Sequence, residues 1–127
     1  MKKIAIFEND LFAIKKTFEA INILYFNKEL EFDFFETSQR IGGLSNLNNY
    51  DVVIIDIELA RTSEMDGFQI LEKIKELNIS TANIILLTGH NNVGEKLKDM
   101  NLEHIPIVRK TIDIKVLRDR IKQVLNP

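Results

Sequence analysis

Five short runs rich in β-branched and aromatic residues are spread along the chain, separated by longer amphipathic stretches. The first, third and fourth runs are almost continuously apolar, which is typical of strands covered on both faces in a parallel sheet. The second alternates apolar and polar residues and has Phe32 and Phe34 on one side, as expected of an edge strand. The five predicted strands are KIAIF (3–7), EFDFFET (31–37), DVVIID (51–56), NIILLT (83–88) and HIPIVR (104–109).

Between these runs, apolar residues recur every three or four positions, which is the spacing of an amphipathic helix. Asn9 or Asp10 is placed to cap the first of these helices. The weakest candidate is 38–50, where two glycines and several asparagines argue against a regular helix. The five predicted helices are 11–25, 38–50, 67–77, 93–100 and 113–125.

This alternation predicts one α/β domain over residues 1–127, built on a doubly wound, five-stranded parallel sheet. Right-handed crossovers leave few possible strand orders, and for a chain of this size we expect the flavodoxin-like order 2-1-3-4-5. Ligands of such sheets bind beyond the carboxyl ends of the strands, where the strand order reverses. The expected site therefore lies between the ends of the first and third strands.

Composition and charge narrow the classes of function. The net charge of −2 gives no field that attracts nucleic acid or an anionic membrane, so we expect neither as a direct partner. The absence of cysteine excludes a thiol nucleophile and a cysteine-based zinc site. The apolar stretch before Glu8 is too short for a signal peptide, and no stretch of the sequence is long enough for a membrane span. We therefore expect a cytoplasmic protein.

Polar side chains follow four of the predicted strands at the point where each strand ends. They are Glu8, Asn9 and Asp10 after the first, Asp56 and Glu58 at the third, Thr88 at the fourth and Lys110 at the fifth. Because the carboxyl ends of parallel strands meet at one edge, we expect these side chains to share a pocket. Neighbouring carboxylates stay ionised together only with a cation, and a small oxygen-rich site suits Mg²⁺. A hydroxyl and an ammonium beside it suggest a bound phosphoryl group, with Asp56 as the nucleophile that forms an acyl phosphate.

At this point the chain resembles the receiver domain of two-component response regulators, over essentially its whole length. IAIFEND resembles the acidic motif after the first strand, and DVVIIDIEL the strand that carries the phospho-accepting aspartate. IILLTGH resembles the fourth strand with its switch hydroxyl, and IVRKTID the fifth strand with its lysine. The spacing from Thr88 to Lys110 also fits, and Gly89 matches a position where the family needs a small residue beside the acceptor.

The resemblance implies a stand-alone signalling receiver, with no enzyme activity beyond self-phosphorylation from small donors and autodephosphorylation. Asp56 would accept a phosphoryl group from a histidine kinase or phosphotransfer protein. Thr88 would bond the phosphoryl group and Lys110 would pair with it. The fourth predicted helix, the fifth strand and the fifth helix would form the face that docks to another protein. Mg²⁺ would be held by Glu8, Asn9, Asp56 and the backbone carbonyl of Glu58.

Two departures from the family pattern concern the metal and the acceptor loop. Asn9 stands where the family usually has a carboxylate, so one negative charge is lost and we expect weaker Mg²⁺ binding. The loop between Asp56 and Gly67 is longer than usual and lacks the customary proline. Access of a partner to the pocket is therefore expected to differ.

Two further departures concern the fifth strand. Thr111 replaces the proline that usually follows a cis bond, so the Lys110–Thr111 bond is either trans or an unusual non-proline cis bond. Ile107 replaces the aromatic switch residue, so the usual coupling between hydroxyl and aromatic ring is missing. Signal output must then use other contacts.

Two other functions stay open. One is a pseudo-receiver, an interaction module of the same fold that is not phosphorylated; the departures favour it, while the retained acceptor, hydroxyl and lysine argue against it. The other is a small aspartate-nucleophile phosphatase, suggested by DIE (56–58), although 127 residues leave no room for a substrate cap. His90 and His104 have no matching ligand cluster and are interpreted as structural or surface residues.

Overall fold

The chain forms a five-stranded parallel sheet in a computed structural model that describes residues 1–59 and 61–127. The strands are β1 (Lys2–Phe7), β2 (Leu30–Phe35), β3 (Val52–Asp56), β4 (Ile84–Thr88) and β5 (Ile107–Arg109). The α-helices are α1 (Leu11–Tyr25), α2 (Gly67–Glu76), α3 (Val93–Asp99) and α4 (Ile114–Leu125). The strand order is β2-β1-β3-β4-β5, which confirms the predicted order. Within the described residues, no helix is both long and apolar enough to cross a membrane.

Two apolar layers cover the two faces of the sheet. Ala5 and Phe7 of β1 pack in one layer with residues of α2 and α3. Ile4 and Ile6 of the same strand pack in the other layer with residues of α1 and α4. Because successive side chains of a strand point to opposite faces, burial on both faces requires the continuous apolar runs seen in the sequence.

The second strand lies at the edge of the sheet, as its alternating pattern predicted. Phe32 and Phe34 both pack against Phe18 of α1, with ring centroids 5.4 and 6.2 Å away. Phe35 points to the opposite face and stacks on Phe7 at 5.2 Å. These phenylalanines therefore serve packing on both faces of the sheet edge.

The predicted helix over residues 38–50 is wrong. The segment forms two short 3₁₀ turns, Ser38–Ile41 and Leu44–Asn49. Gly42 separates them with a φ of 84°, which glycine adopts without steric cost and which ends a right-handed helix. The Asn46 side chain donates a hydrogen bond to the Ile41 carbonyl at 2.8 Å, so it competes with helical backbone pairing. The fourth and fifth predicted helices are consequently α3 and α4.

The fifth strand is shorter than predicted. The expected run began at His104, whereas β5 begins at Ile107. Pro106 has no backbone N–H and cannot donate to a strand ladder, although its carbonyl accepts from Leu86 N at 3.0 Å. The short strand ends at Arg109, so Lys110 lies directly beyond the carboxyl edge of the sheet.

Candidate functional site

Three charged side chains meet at the carboxyl edge of the sheet. Glu8 follows β1, Asp56 ends β3 and Lys110 follows β5. The Lys110 ammonium lies 2.8 Å from Glu8 Oε2 and donates a hydrogen bond to Asp56 Oδ2. The parallel sheet thus brings together three predicted site residues that are far apart in sequence.

Backbone donors fix the orientation of both carboxylates. The backbone N–H of Glu58 donates to Asp56 Oδ1 at 2.9 Å, and that of Asp10 donates to Glu8 Oε1 at 3.2 Å. Each carboxylate therefore has one oxygen held by the loop that follows its strand and the other turned towards Lys110. Glu8 is 1% exposed and Asp56 is 3% exposed, so neither charge is well solvated.

The pocket is short of positive charge. Burial, together with the neighbouring Asp56 carboxylate, raises the pKa of Glu8 from 4.5 to about 7, although the Lys110 ammonium lowers it. Burial disfavours the ammonium form of Lys110, but its bonds to Asp56 and Glu8 outweigh this, so the pKa of Lys110 is raised. One ammonium therefore does not hold the pKa of Glu8 at its ordinary value.

These residues fit a hard divalent cation. Glu8 Oε2 is buried and has no partner with hydrogen-bond geometry over residues 1–59 and 61–127, although the Lys110 ammonium lies 2.8 Å away as an ion pair. An oxygen of this kind beside a second carboxylate is a suitable metal ligand. The third position is Asn9, which is exposed. The described part of the chain contains no group of three or more His, Cys, Asp or Glu side chains placed to hold a metal.

Thr88 ends β4 next to β3 and is 1% exposed. Asp56 is paired in register with Leu87, the residue before Thr88. The Thr88 hydroxyl accepts a hydrogen bond from the backbone N–H of His90 at 2.9 Å. At Gly89, a Cβ atom would meet no heavy atom within 4 Å, so the protein itself does not require a small residue there.

Sequence reasoning missed the contacts of His90 and Arg109. The His90 ring contacts the Glu58 carboxylate through Nε2. Arg109 donates from Nη1 to the His90 carbonyl at 2.7 Å and to Asn91 Oδ1 at 3.1 Å. Their positions in the sequence could have indicated that they lie near the site, because His90 is two residues after Thr88 and Arg109 directly precedes Lys110.

The long loop after Asp56 is anchored to the first 3₁₀ turn. Ser38 and Gln39 exchange four hydrogen bonds with loop residues 62–65: Ser38 N to Ser63 Oγ (2.8 Å), Met65 N to Ser38 Oγ (3.0 Å), Gln39 Nε2 to Thr62 O (2.7 Å) and Glu64 N to Gln39 Oε1 (2.9 Å). Where the loop rejoins α2, the Gly67 N–H donates to the Ile57 carbonyl at 3.0 Å. Residues 62–65 are therefore held against the first 3₁₀ turn although the loop lacks the family's proline.

The two departures on the fifth strand have clear structural outcomes. The Lys110–Thr111 peptide bond is cis, which is one of the two alternatives that Thr111 left open. Ile107 is half-buried and packs against the apolar layer that contains α2 and α3. It therefore serves the core at the position where an aromatic switch residue was expected.

Solved structures of similar fold match nearly the whole chain. The receiver domain of the Francisella response regulator 1452 is 22% identical, with a TM-score of 0.73, and the match covers 98% of this chain and 97% of that one. A CheY-like receiver domain protein from Methanospirillum hungatei is also 22% identical, with a TM-score of 0.73 and coverages of 99% and 94%. The BeF3-activated receiver domain of Klebsiella pneumoniae RstA is 18% identical, with a TM-score of 0.71 and coverages of 99% and 100%. At these identities, the likeness shows the fold.

Family membership follows from the sequence itself. Comparison with curated proteins finds no match. The family model of the response regulator receiver domain, by contrast, matches residues 11–122, which is most of the chain. That match, together with the parallel sheet and the charged cluster at its carboxyl edge, leads to one conclusion: this chain belongs to the response regulator receiver domain family.

Proposed function

We propose that this receiver domain is a phosphorylation switch in which Asp56 accepts a phosphoryl group from a phosphohistidine of a histidine kinase or phosphotransfer protein. The observation that carries this proposal is the Lys110 ammonium between two buried carboxylates, one of which has an oxygen without a hydrogen bond in the described residues. A purely structural ion pair needs one carboxylate per ammonium. The surplus negative charge suits a site that takes up a cation.

The proposed transfer uses the chain's own groups as follows. An Asp56 oxygen attacks the phosphorus, the phosphorus–nitrogen bond of the phosphohistidine breaks, and the released imidazole nitrogen takes a proton from solvent. The Lys110 ammonium, already at Asp56, then donates to a phosphoryl oxygen. The Thr88 hydroxyl keeps its own proton when it accepts from His90, and can donate it to the same group.

We assign Mg²⁺ to Glu8, Asp56, the Asn9 side-chain oxygen and the backbone carbonyl of Glu58. When bound, the metal would neutralise charge on the transferred phosphoryl oxygens. Glu8 supports this assignment because burial, together with the neighbouring Asp56 carboxylate, raises its pKa. The loss of a carboxylate at Asn9 predicts that the metal binds more weakly than it would to a third acid.

The surface formed by α3, β5 and α4 is the proposed docking face for a downstream protein. It is linked to the site through β5, because Arg109 and Lys110 lie side by side at the end of that strand. Lys110 reaches the acceptor, and Arg109 reaches the loop before α3. A change of charge at Asp56 would therefore act directly on Lys110, which is the neighbour of Arg109 at the end of β5.

Beryllofluoride tests the switch, since it stands in for the phosphoryl group on a carboxylate oxygen. With Mg²⁺ present, it is expected to shift the amide resonances of Thr88 and Lys110 and of residues along α3, β5 and α4 in proton–nitrogen correlation spectra. The BeF3-activated state named for the Klebsiella pneumoniae receiver gives a precedent in the same fold. Asp56→Asn, which removes the reacting carboxylate at nearly constant size, is expected to abolish the shifts.

Either of two results would count against the switch. Wild-type spectra that do not respond to Mg²⁺ and beryllofluoride together would argue against a phosphoryl site. Shifts confined to residues around Asp56, with none along α3, β5 or α4, would support Asp56 as the phosphoryl acceptor but refute the proposed docking face.

Restoring a carboxylate at position 9 tests the metal assignment. Asn9→Asp is expected to lower the dissociation constant for Mg²⁺ by about tenfold, because a charged ligand replaces a neutral one. Asn48→Asp adds the same charge at an exposed position in the second 3₁₀ turn and is the matched control. Titration with Mg²⁺ followed by resonance shifts measures both. An equal gain in the two variants, or no gain in either, would remove Asn9 from the metal site.

One observation favours a second candidate, an interaction module that is not phosphorylated. The described residues hold no group of three or more His, Cys, Asp or Glu side chains placed for a metal, and Asn9 adds an amide where a third carboxylate would stand. In such a module the Lys110 contacts with Glu8 and Asp56 would serve folding alone. The beryllofluoride experiment separates the two candidates, because the unphosphorylated module would bind no phosphoryl mimic.

A further inference from the structure

The Thr88 hydroxyl is engaged by the loop that follows it. Its oxygen accepts from the backbone N–H of His90 at 2.9 Å, which closes a tight turn over Gly89. A threonine hydroxyl has one proton and two acceptor positions, so this bond occupies an acceptor position and fixes where the hydroxyl stands. The position of the hydroxyl therefore depends on the conformation of residues 89–91.

A side chain from β5 holds that loop. Arg109 is paired in register with Thr88, and its Nη1 donates to the His90 carbonyl at 2.7 Å and to Asn91 Oδ1 at 3.1 Å. A charged donor makes these bonds stronger than neutral ones. His90 is thus held at both of its backbone polar groups: its N–H donates to the Thr88 hydroxyl and its carbonyl accepts from Arg109.

The loop is also contacted by Glu58, which follows β3. The Glu58 carboxylate contacts the His90 ring, and the Glu58 N–H bonds Asp56. Ile107 packs into the core and has no polar atom in its side chain, so it cannot replace Arg109 as a hydrogen-bond donor to the loop. Side chains from the ends of β3 and β5 thus converge on His90.

We propose that Arg109 is a positioning residue for Thr88: its guanidinium holds the His90 carbonyl and the Asn91 side chain so that the loop keeps the Thr88 hydroxyl turned towards His90. The consequence for switching rests on the proposed function, because a hydroxyl that moves to a phosphoryl group on Asp56 must carry this loop with it or leave the His90 N–H. The positioning itself is a property of the unmodified protein and can be tested without phosphorylation.

The test is hydrogen exchange of the His90 amide in the unmodified 127-residue chain, measured by proton–nitrogen spectra. Arg109→Ala is expected to speed exchange at His90 by about tenfold, because the loop opens more often without its anchor. Arg109→Lys keeps a charged donor for the His90 carbonyl and is expected to exchange more slowly than the alanine variant. Arg120→Ala removes an arginine of α4 whose bond is to Gln123, and is expected to leave His90 unchanged.

Three results would overturn the positioning role. They are unchanged His90 exchange in Arg109→Ala, an equal rise in Arg120→Ala, and a rise that extends equally to the amides of Leu87 and Val108 inside the sheet. The last would report general destabilisation. Beryllofluoride binding by the wild type is measured in parallel. If His90 exchange rises in Arg109→Ala but the wild type binds no beryllofluoride, the phosphorylation proposal fails and the positioning role stands. If the wild type binds beryllofluoride but His90 exchange is unchanged in Arg109→Ala, the positioning role fails and the phosphorylation proposal stands.

Discussion

Replacing Gly67 with alanine is expected to lower the free energy of unfolding by about 3 kcal/mol. A Cβ atom at this position would lie 2.6 Å from Ile57 Cα and 2.7 Å from the Asp56 carbonyl oxygen. Both are backbone atoms and cannot rotate away, so the start of α2 would have to move away from Asp56 and Ile57. Urea unfolding of the variant and the wild type measures the difference.

Gly94→Ala provides the matched control within the same molecule. A Cβ atom at Gly94, in the first turn of α3, would meet no heavy atom within 4 Å. The control is therefore expected to be as stable as the wild type, or more stable by up to about 1 kcal/mol, because alanine loses less backbone entropy on folding. Similar stabilities for the two alanine variants would contradict the close approach of α2 to the backbone of Asp56 and Ile57.

Replacing Lys110 with methionine is expected to lower the free energy of unfolding by about 2 kcal/mol at about pH 8 without Mg²⁺. The variant leaves two nearly buried carboxylates, Glu8 and Asp56, facing each other without their cation. The expected loss is smaller than the roughly 3–5 kcal/mol of a fully buried pair. The reason is that the Lys110 side chain is 34% exposed and water screens its charge.

The loss should depend on pH in a defined direction. The pKa of Glu8 is already raised to about 7, chiefly by burial, and removal of the ammonium takes away an effect that lowers it. An acid whose pKa is higher in the folded state binds its proton there more readily, so its folded form is favoured at low pH and loses stability as pH rises. Chemical unfolding at about pH 6 and about pH 8 should show the larger effect at the higher pH.

Two further variants decide whether the buried charges are responsible. Glu8→Gln combined with Lys110→Met removes one of the two carboxylate charges and is expected to recover most of the lost stability. Lys115→Met, at an exposed position of α4, is expected to change stability by less than about 0.5 kcal/mol. A Lys110→Met variant as stable as Lys115→Met at both pH values would show that the cluster contributes nothing to folding.

The fold was predictable because it depends on patterns that persist over many residues. Continuous apolar runs require two covered faces, and the structure buries β1 between α1 and α4 on one side and α2 and α3 on the other. The segment 38–50 was mispredicted because its outcome depends on single residues. Gly42 takes a positive φ and the Asn46 side chain bonds the backbone, and the spacing of apolar residues predicts neither effect.

The candidate site divides in the same way. Glu8, Asp56 and Lys110 could be placed together because parallel strands end at one edge, and the structure brings them into contact. The contacts of Arg109 and the close packing of Gly67 depend on the paths of loops, which strand pairing does not determine. The amide at Asn9 is plain in the sequence, whereas the charge balance of the pocket follows from the folded contacts of Lys110 with Glu8 and Asp56.

Whether the buried carboxylates take up a phosphoryl group is tested most directly by the intact mass of the wild-type protein after incubation with acetyl phosphate. The incubation is run once with Mg²⁺ and once with the metal removed by EDTA, and Asp56→Asn is treated in parallel. We expect one added phosphate on the wild type, only with Mg²⁺, and none on the variant. An unmodified wild type under both conditions, or an adduct that persists in Asp56→Asn, would contradict the assignment of Asp56 as the phosphoryl acceptor.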